Sequence, residues 1–181
     1  DGWATTIPSK SDAGTYYVWY KVVGEANYKD VDPACVTVTI DKKAATITAD
    51  AKSKTYGDAD PDLTATVEGT VDGDKLDYSL SRAEGKNVGE YAITVTAEAA
   101  KNPNYDVSVN GATFTITKTD ADVTAPTAKT LTYDGTAQEL VNAGTAEGGE
   151  MQYAIGENAA TAPTDGWATT IPSKSDAGTY Y

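Results

Sequence analysis

Two short clusters of aspartates are the groups in this sequence that could bind a metal ion. Their members are Asp58, Asp60 and Asp62 in the first cluster and Asp72 and Asp74 in the second. Carboxylate oxygens are ligands that calcium accepts. The first cluster contains Pro61, however, and lacks the glycine and the terminal glutamate of an EF-hand loop. We favour solvated turns as the interpretation, and a calcium site at Asp58, Asp60 and Asp62 is the alternative.

Aromatic side chains form a second candidate site. Alternate residues of a strand share a face, so Tyr17 and Trp19 lie opposite Tyr16 and Val18. If the Tyr16 face belongs to the core, Tyr17 and Trp19 stand outside, where flat rings can stack on a sugar ring. We favour coverage of these rings by loops or by an adjacent repeat, and a site for a host glycan or glycoprotein is the alternative.

Catalytic chemistry has little support. The chain has no His, one Met and a single Cys, Cys35, so imidazole-based triads and thiolate metal clusters are excluded. The 27 acidic residues will produce chance carboxylate pairs, and the short turns offer no loop long enough to build a cleft. We therefore predict a non-catalytic protein without a cofactor.

The charge and the hydropathy pattern limit the partners. With a net charge of −13, the chain should be repelled by nucleic acid and by anionic lipid. No apolar run approaches the length of a bilayer span, so we expect no membrane insertion in this segment. The first residues lack the basic start and apolar stretch of a signal peptide, and we expect the chain to start downstream of any export signal.

An internal repeat determines the predicted domain organisation. The 17 letters DGWATTIPSKSDAGTYY occur at residues 1–17 and again at residues 165–181. A weaker similarity relates residues 11–40 to 86–117 and residues 131–140 to 54–63. We therefore predict two related domain types, A and B. Residues 1–41 are the closing half of an A repeat, residues 42–118 are a complete B repeat, and residues 119–181 are the opening part of another A repeat.

Half of a sandwich exposes its core face and an unpaired strand edge. Such a half should be disordered or should seek a partner. Our hypothesis is that the tail of one molecule completes the head of the next, head to tail, in an open-ended contact. The rival hypothesis is that the chain is a window from a longer tandem array.

The secondary structure is predicted to be entirely β. Thr, Val, Tyr and Ile recur with period two in residues 35–40, 44–50, 63–69 and 90–98. Asn110-Gly111 lies between two such segments and is the strongest signal for a hairpin with a type I′ turn. In B the last strand should turn Ala112, Phe114 and Ile116 to the core, and in A the same register turns Val36, Val38 and Ile40 inward.

The segment SDAGTYYV resembles the D-x-G-x-Y-x-C stretch of immunoglobulin-like domains, where a tyrosine hydroxyl closes a corner of the sandwich. A segment of this kind occurs three times in the chain, and its predicted corner tyrosines are Tyr16, Tyr91 and Tyr180. Val18 stands where that family has cysteine, so the core depends on apolar packing. An antiparallel immunoglobulin-like β-sandwich, repeated in tandem, is our first choice of fold, and a β-grasp-like mixed fold is the second.

The segments TYGDADPDLTATVEG, GEYAITV and NPNYDVSVNGATFTIT resemble the MBG and YDG-type repeats of bacterial cell-surface proteins and large adhesins. The resemblance covers B nearly end to end and A more loosely, through LTYDGTAQEL and DAGTYYVWYKV. It implies an extracellular location and a stalk in which repeats space a distal binding region from the cell. We therefore predict a non-catalytic stalk or spacer segment whose partners are neighbouring repeats, and a glycan-binding module that uses Tyr17 and Trp19 is the alternative.

Overall fold

The computed structural model describes residues 3–181, so Asp1 and Gly2, which begin the first copy of the repeated segment, lie outside it. Two compact units divide between Lys118 and Thr119. Throughout residues 3–181 the regular elements are strands, with no helix, which confirms the all-β class. In chain order they are β1 Gly14–Val22, β2 Val31–Ile40, β3 Lys43–Ala49, β4 Lys52–Thr55, β5 Ala65–Glu68, β6 Ser79–Arg82, β7 Gly89–Thr96, β8 Tyr105–Asn110, β9 Ala112–Thr117, β10 Asp122–Thr124, β11 Thr127–Ala128, β12 Gln138–Glu139, β13 Val141–Asn142, β14 Thr145–Glu147 and β15 Ser173–Lys174.

The B repeat forms two sheets, in the strand orders β5-β3-β8 and β4-β9-β7-β6. This arrangement is consistent with the predicted immunoglobulin-like sandwich. The expectation of purely antiparallel sheets is wrong in two places, because β3 pairs with β8 and β4 pairs with β9 in parallel. In each sheet of B, the closing segment of the domain thus lies beside the opening one.

The core of B lies between its two sheets. Its fully buried large side chains are Ile47, Ile93, Phe114 and Ile116. They occupy alternate positions of β3, β7 and β9, as period-two patterning requires. The predicted inward face of β9 is therefore confirmed, with Phe114 and Ile116 buried and Ala112 half-buried at its edge.

The predicted hairpin at Asn110-Gly111 is wrong. Neither residue has a positive φ, which a type I′ turn needs, and the pairing partners of β8 and β9 are other strands. The chain instead crosses here from one sheet to the other. A Cβ at Gly111 would lie 2.6 Å from the carbonyl oxygen of Ile93, so glycine is needed for a close approach of two backbones and not for a turn.

The closing half of A is the hairpin of β1 and β2. Its register is the register of β7 and β9 in B: Gly14 pairs with Ile40 as Gly89 pairs with Ile116. The predicted inward face is not buried, however, since Val36 and Val38 are 48% and 46% exposed. Asn104 of B joins the hairpin to the domain, because its side chain accepts a hydrogen bond from the Ala13 amide at 2.9 Å.

Residues 119–181 form the second unit, which is built from short strands. In this unit β10 pairs with β14, β11 with β13, and β12 with β15, all antiparallel. The pair Val123 and Ala146 in β10 and β14 repeats the pair Ile47 and Val67 in β3 and β5 of B. The unit therefore begins as B begins, with the first strand of the repeat paired to the strand that follows the YDG turn.

Candidate functional site

The aromatic residues singled out from the sequence lie on the β1–β2 hairpin and are exposed. Tyr17 is 67% exposed and Trp19 is 59% exposed. Together with Trp3, Pro8 and Val18 they line a shallow cleft of about 410 Å³. The Lys21 ammonium lies 4.6 Å from the centroid of the Trp3 ring, which adds a cation–π contact at the edge of this aromatic cleft.

The second copy of the repeated segment lines a comparable cleft. Trp167, Pro172 and Tyr181, the copies of Trp3, Pro8 and Tyr17, contribute to a cleft of about 330 Å³ in the second unit. The Trp167 indole also donates a hydrogen bond to the carbonyl oxygen of Pro163, at 3.0 Å. The same 17 residues thus bring Trp, Pro and Tyr together in both places, so this grouping is encoded locally.

The three tyrosines of the predicted corner make one and the same hydrogen bond. The hydroxyls of Tyr16, Tyr91 and Tyr180 each donate at 2.7 Å to the carbonyl oxygen four residues earlier. Those carbonyls belong to Asp12, Asn87 and Asp176. The contact closes the turn before the strand, and it forms in A and in B whether or not a complete sandwich surrounds it.

The aspartates proposed as calcium ligands are not brought together. Asp60 is engaged by two cations, with the Lys54 ammonium at 2.7 Å and the Arg82 guanidinium at 2.6 Å. Its hydrogen bonds to Arg82, and then to Lys54, lower the pKa of Asp60 from 3.8 to about 2. Within residues 3–181, no group of three or more acidic, Cys or His side chains is arranged to hold a metal ion.

The ion cluster of Lys54, Asp60 and Arg82 was not foreseen from the sequence. The Arg82 guanidinium also lies 4.8 Å from the ring centroid of buried Phe114 and 5.5 Å from that of Tyr91. Asp60 and Arg82 are 22 residues apart, so no local motif announces their pairing. The cluster lies at the edge of the core of B, and we interpret it as a contact that stabilises the fold.

The second acidic cluster is also tied to the fold. The Tyr105 hydroxyl donates a short hydrogen bond to the Asp74 carboxylate and accepts one from the Val71 amide at 3.0 Å. The bond to Asp74 raises the pKa of Tyr105. Asp74 therefore holds a loop against buried Tyr105.

Cys35, the single cysteine, is exposed and lies opposite Trp19 in the hairpin.

An open groove of about 380 Å³ runs through the second unit. One wall is formed by Ala128, Leu131 and neighbouring residues, and the other by the segment from Lys174 to Tyr180. By the internal similarity, Leu131 corresponds to Lys54 in β4, and Tyr180 corresponds to Tyr91 in β7. In B the space between β4 and β7 holds β9, so the groove lies where B has its last strand.

In the described residues, no helix is long and apolar enough to cross a membrane. Neither a curated protein nor a solved structure matches the chain. Residues 45–115 match the family model of the MBG domain, YGX type, which is a family of non-enzymatic repeats. The match lies inside the B repeat and agrees with the motifs that suggested it. The central sandwich is thus similar to MBG domains of the YGX type, and the resemblance inferred from its motifs is confirmed.

Proposed function

We propose that this chain is a non-catalytic spacer segment of an adhesin-like protein at a bacterial cell surface. In this proposal each repeat is a short rigid sandwich, and the repeats extend a stalk by joining head to tail. The match to a non-enzymatic repeat family supports an adhesin-like repeat. The net charge of −13 would keep neighbouring stalks in solution and apart from one another.

The path of the chain through B is the observation that carries the proposal. The Lys43 amide, where β3 begins, is bonded to the carbonyl of Asn104, just before β8. The Tyr56 amide, just after β4, is bonded to the carbonyl of Thr117, where β9 ends. The parallel pairs β3–β8 and β4–β9 connect these two places. The chain thus arrives at one end of the sandwich and leaves at the other.

Because of this path, each B domain adds its full length to the extended chain. Tyr105 to Thr117 is 13 residues of almost continuous strand, which spans roughly 40 Å at 3.3 Å per residue. A domain that receives and releases the chain at opposite ends lengthens the whole molecule each time it is repeated.

The two parts of A support the same proposal. The hairpin of β1 and β2 has the register of β7 and β9 in B, and residues 119–147 repeat the opening pairing of B. They are therefore complementary halves of one sandwich. Joined between neighbouring copies, they would place an A domain between successive B domains.

Small-angle scattering can test the spacer function. The chain is compared with a longer form in which residues 18–181 follow Tyr181 a second time, and then a third time. We expect the maximum dimension to grow by about 80 Å for each added period, since a period holds two domains of about 40 Å. The same lengthened chains with Val38→Asp in every period are the control, because failed A domains bend or collapse. Growth below about 40 Å per period in the unmutated chains would contradict the spacer function.

A carbohydrate-binding module is the second candidate. Its support is the aromatic cleft, where Tyr17 and Trp19 are exposed beside Trp3. A glycan array probed with the chain and with its Trp19→Ala variant separates the two functions. A spacer binds nothing in either form, whereas a lectin-like module binds a glycan class that is lost with Trp19.

A further inference from the structure

The corner loop of A, at Asp12 and Ala13, is bonded to a single side chain of B. The A hairpin and B belong to one compact unit, which ends at Lys118. The Asn104 side chain accepts a hydrogen bond from the Ala13 amide at 2.9 Å and donates one to the Asp12 carboxylate at 3.1 Å. These bonds join residues 91 and 92 positions apart in the sequence. One amide of B therefore holds the corner of A at two atoms.

The same asparagine also secures the covalent link between the hairpin and B. Since β2 ends at Ile40 and β3 begins at Lys43, only two residues form this link. The Lys43 amide donates a hydrogen bond to the main-chain carbonyl of Asn104 at 3.0 Å. Because Gly14 pairs with Ile40, the start of β1 lies about 5 Å from the end of β2, at the usual spacing of strands. Asn104 is thus bonded both to the chain before β1 and to the chain after β2.

We infer that these contacts, which we call the Asn104 clasp, fix the angle between an A repeat and the B repeat that follows it. The inference rests on the proposed spacer function and specifies how one of its joints is made rigid. A short link alone leaves the hairpin free to turn, because each linking residue has two soft backbone torsions. A second attachment beside the link, at Asp12 and Ala13, removes this freedom.

The corner loop is held in shape by its own residues. The Tyr16 hydroxyl bonds to the Asp12 carbonyl oxygen, which leaves the Asp12 carboxylate and the Ala13 amide to meet Asn104. The same corner forms at Tyr91 and Tyr180. Because the loop is already ordered, little further conformational entropy is lost when the Asn104 clasp closes.

Packing against the core of B does not set this angle. Among residues 3–118, the side chains that form this core or pack against it all lie between Ala45 and Ile116, outside the hairpin. Two hydrogen bonds that are partly open to water favour a closed joint by roughly tenfold to a hundredfold. The joint should therefore have one dominant angle and open in a minor population.

The A repeat provides a matched position for comparison. Asn27 holds the place of Asn104 in A, in the Asn-Tyr pair that both repeats share. Asn27 is exposed, whereas Asn104 is half-buried against the corner loop. The same substitution at the two positions therefore separates the effect of the Asn104 clasp from the effect of losing an asparagine.

Spin labels can measure the spread of the joint angle in the full chain. One label is attached to Cys35, the exposed native cysteine of β2, and the other to Thr94→Cys, on the exposed face of β7. A pair inside B, Thr66→Cys and Thr94→Cys with Cys35→Ala, gives the width that the labels themselves contribute. Double electron–electron resonance reports the distribution of distances for each pair. We expect the hairpin pair to be less than about twice as wide as the pair inside B, because the closed joint dominates.

Substitutions at the two ends of the Asn104 clasp should widen this distribution in a graded way. Asn104→Ala removes both side-chain bonds, and we expect a distribution at least about twofold wider than that of the parent chain. Asp12→Ala keeps the bond from the Ala13 amide and should give an intermediate width. Asp12→Asn keeps an acceptor for the Asn104 amide, and the control Asn27→Ala leaves the Asn104 clasp intact, so both should keep the width of the parent chain.

Equal widths in the parent chain and in Asn104→Ala, or equal widening by Asn104→Ala and Asn27→Ala, would overturn the inference. The pair inside B shows whether Asn104→Ala disturbs B itself. If it does, Asp12→Ala decides the question, because this variant leaves every residue of B in place. A broad joint in a chain whose multi-period forms lengthen as expected would overturn the Asn104 clasp and leave the spacer function standing. A narrow joint in forms that fail to lengthen would contradict the spacer function alone.

Discussion

The B sandwich and the A hairpin share one strand register and differ in burial. Tyr16 faces Val38 in the hairpin as Tyr91 faces Phe114 in B. Phe114 is fully buried and Val38 is nearly half exposed. All of the buried apolar side chains found in residues 3–181 lie between Ala45 and Ile116, inside B. The comparison separates what a strand pair encodes by itself from what it gains from a second sheet.

The strand register and the hydrogen bond of the tyrosine corner are encoded by the strand pair itself. Burial of the apolar face requires a second sheet. The Tyr16 hydroxyl reaches the Asp12 carbonyl without a sandwich around it, because both groups lie within five residues of sequence. A core needs side chains from two sheets, and in B these come from β3, β7 and β9. The hairpin of A carries the pattern of a core face and lacks the sheet that would cover it.

Alanine substitution at the corresponding positions of B and the A hairpin, Phe114 and Val38, should give the largest difference in the free energy of unfolding. Phe114→Ala removes a fully buried ring, and we expect it to lower the free energy of unfolding of B by about 3 to 5 kcal/mol. Val38→Ala, at the corresponding place in the hairpin, should cost less than about 0.5 kcal/mol in dilute protein, where the side chain is 46% exposed. Urea unfolding of the two variants of the full chain, followed by tyrosine and tryptophan fluorescence, measures both values.

The protein concentration sharpens this result. If the hairpin is covered when repeats of neighbouring molecules join head to tail, as the proposed function requires, the cost of Val38→Ala should rise as association becomes populated, whereas the cost of Phe114→Ala should not depend on concentration. Equal costs at the two positions in dilute protein would mean that the hairpin is already covered in the single chain, and the comparison would fail.

Much of this architecture follows from the sequence, because alternation is a local signal. The predicted segments 44–50 and 90–98 lie within two residues of β3 and β7 at each end. The error at Gly111 has a tertiary cause, since its role depends on the carbonyl of Ile93, a residue 18 positions earlier. The ion cluster around Asp60 and the open groove were missed for the same reason, as neither has a signature along the chain.

A buried amide should give the second largest contrast. Asn102 is 3% exposed, and its side chain accepts a hydrogen bond from the Asp77 amide at 2.8 Å. It also donates to the carbonyls of Asp77 and Glu98, at 2.9 and 3.1 Å. Asn102→Ala leaves these backbone groups without partners, and we expect a loss of about 2 to 3 kcal/mol in the stability of B.

The matched control for this amide is Glu25→Ala. Glu25 holds the corresponding position in A, two residues before the Asn-Tyr pair that both repeats share, and it is exposed. Its replacement should change the unfolding midpoint by no more than the error of the measurement. A large effect of Glu25→Ala would show that the loop of A is anchored as the loop of B is. In Asn102→Ala, faster hydrogen exchange of the Asp77 amide, which donates to the Asn102 side chain, would report the lost contact in B.

The smallest expected difference between B and the A hairpin is in their loss of stability at low pH. The pKa of Asp60 is lowered to about 2 by Arg82 and Lys54, from an unfolded value of 3.8. A depressed carboxyl pKa stabilises the folded state above the unfolded value, and this stabilisation is lost as the pH falls through the folded value. B should therefore lose stability between pH 4 and pH 2 through this group, while the hairpin of A, which has no counterpart of Arg82, should not.

Asp60→Asn isolates this contribution. The variant should be less stable than the parent chain above pH 4, and the difference should shrink towards zero as the pH approaches 2, because the parent carboxyl is then protonated as well. Asp62→Asn, two residues away in the same segment between β4 and β5, is the control with the same change in net charge. Since the ion cluster is partly solvated, added salt should reduce the Asp60 difference too. A stability difference that is constant from pH 5 to pH 2 would mean that Asp60 acts through packing and not through its charge. The ion pairs of Asp60 with Lys54 and Arg82 would then contribute nothing to the stability of B.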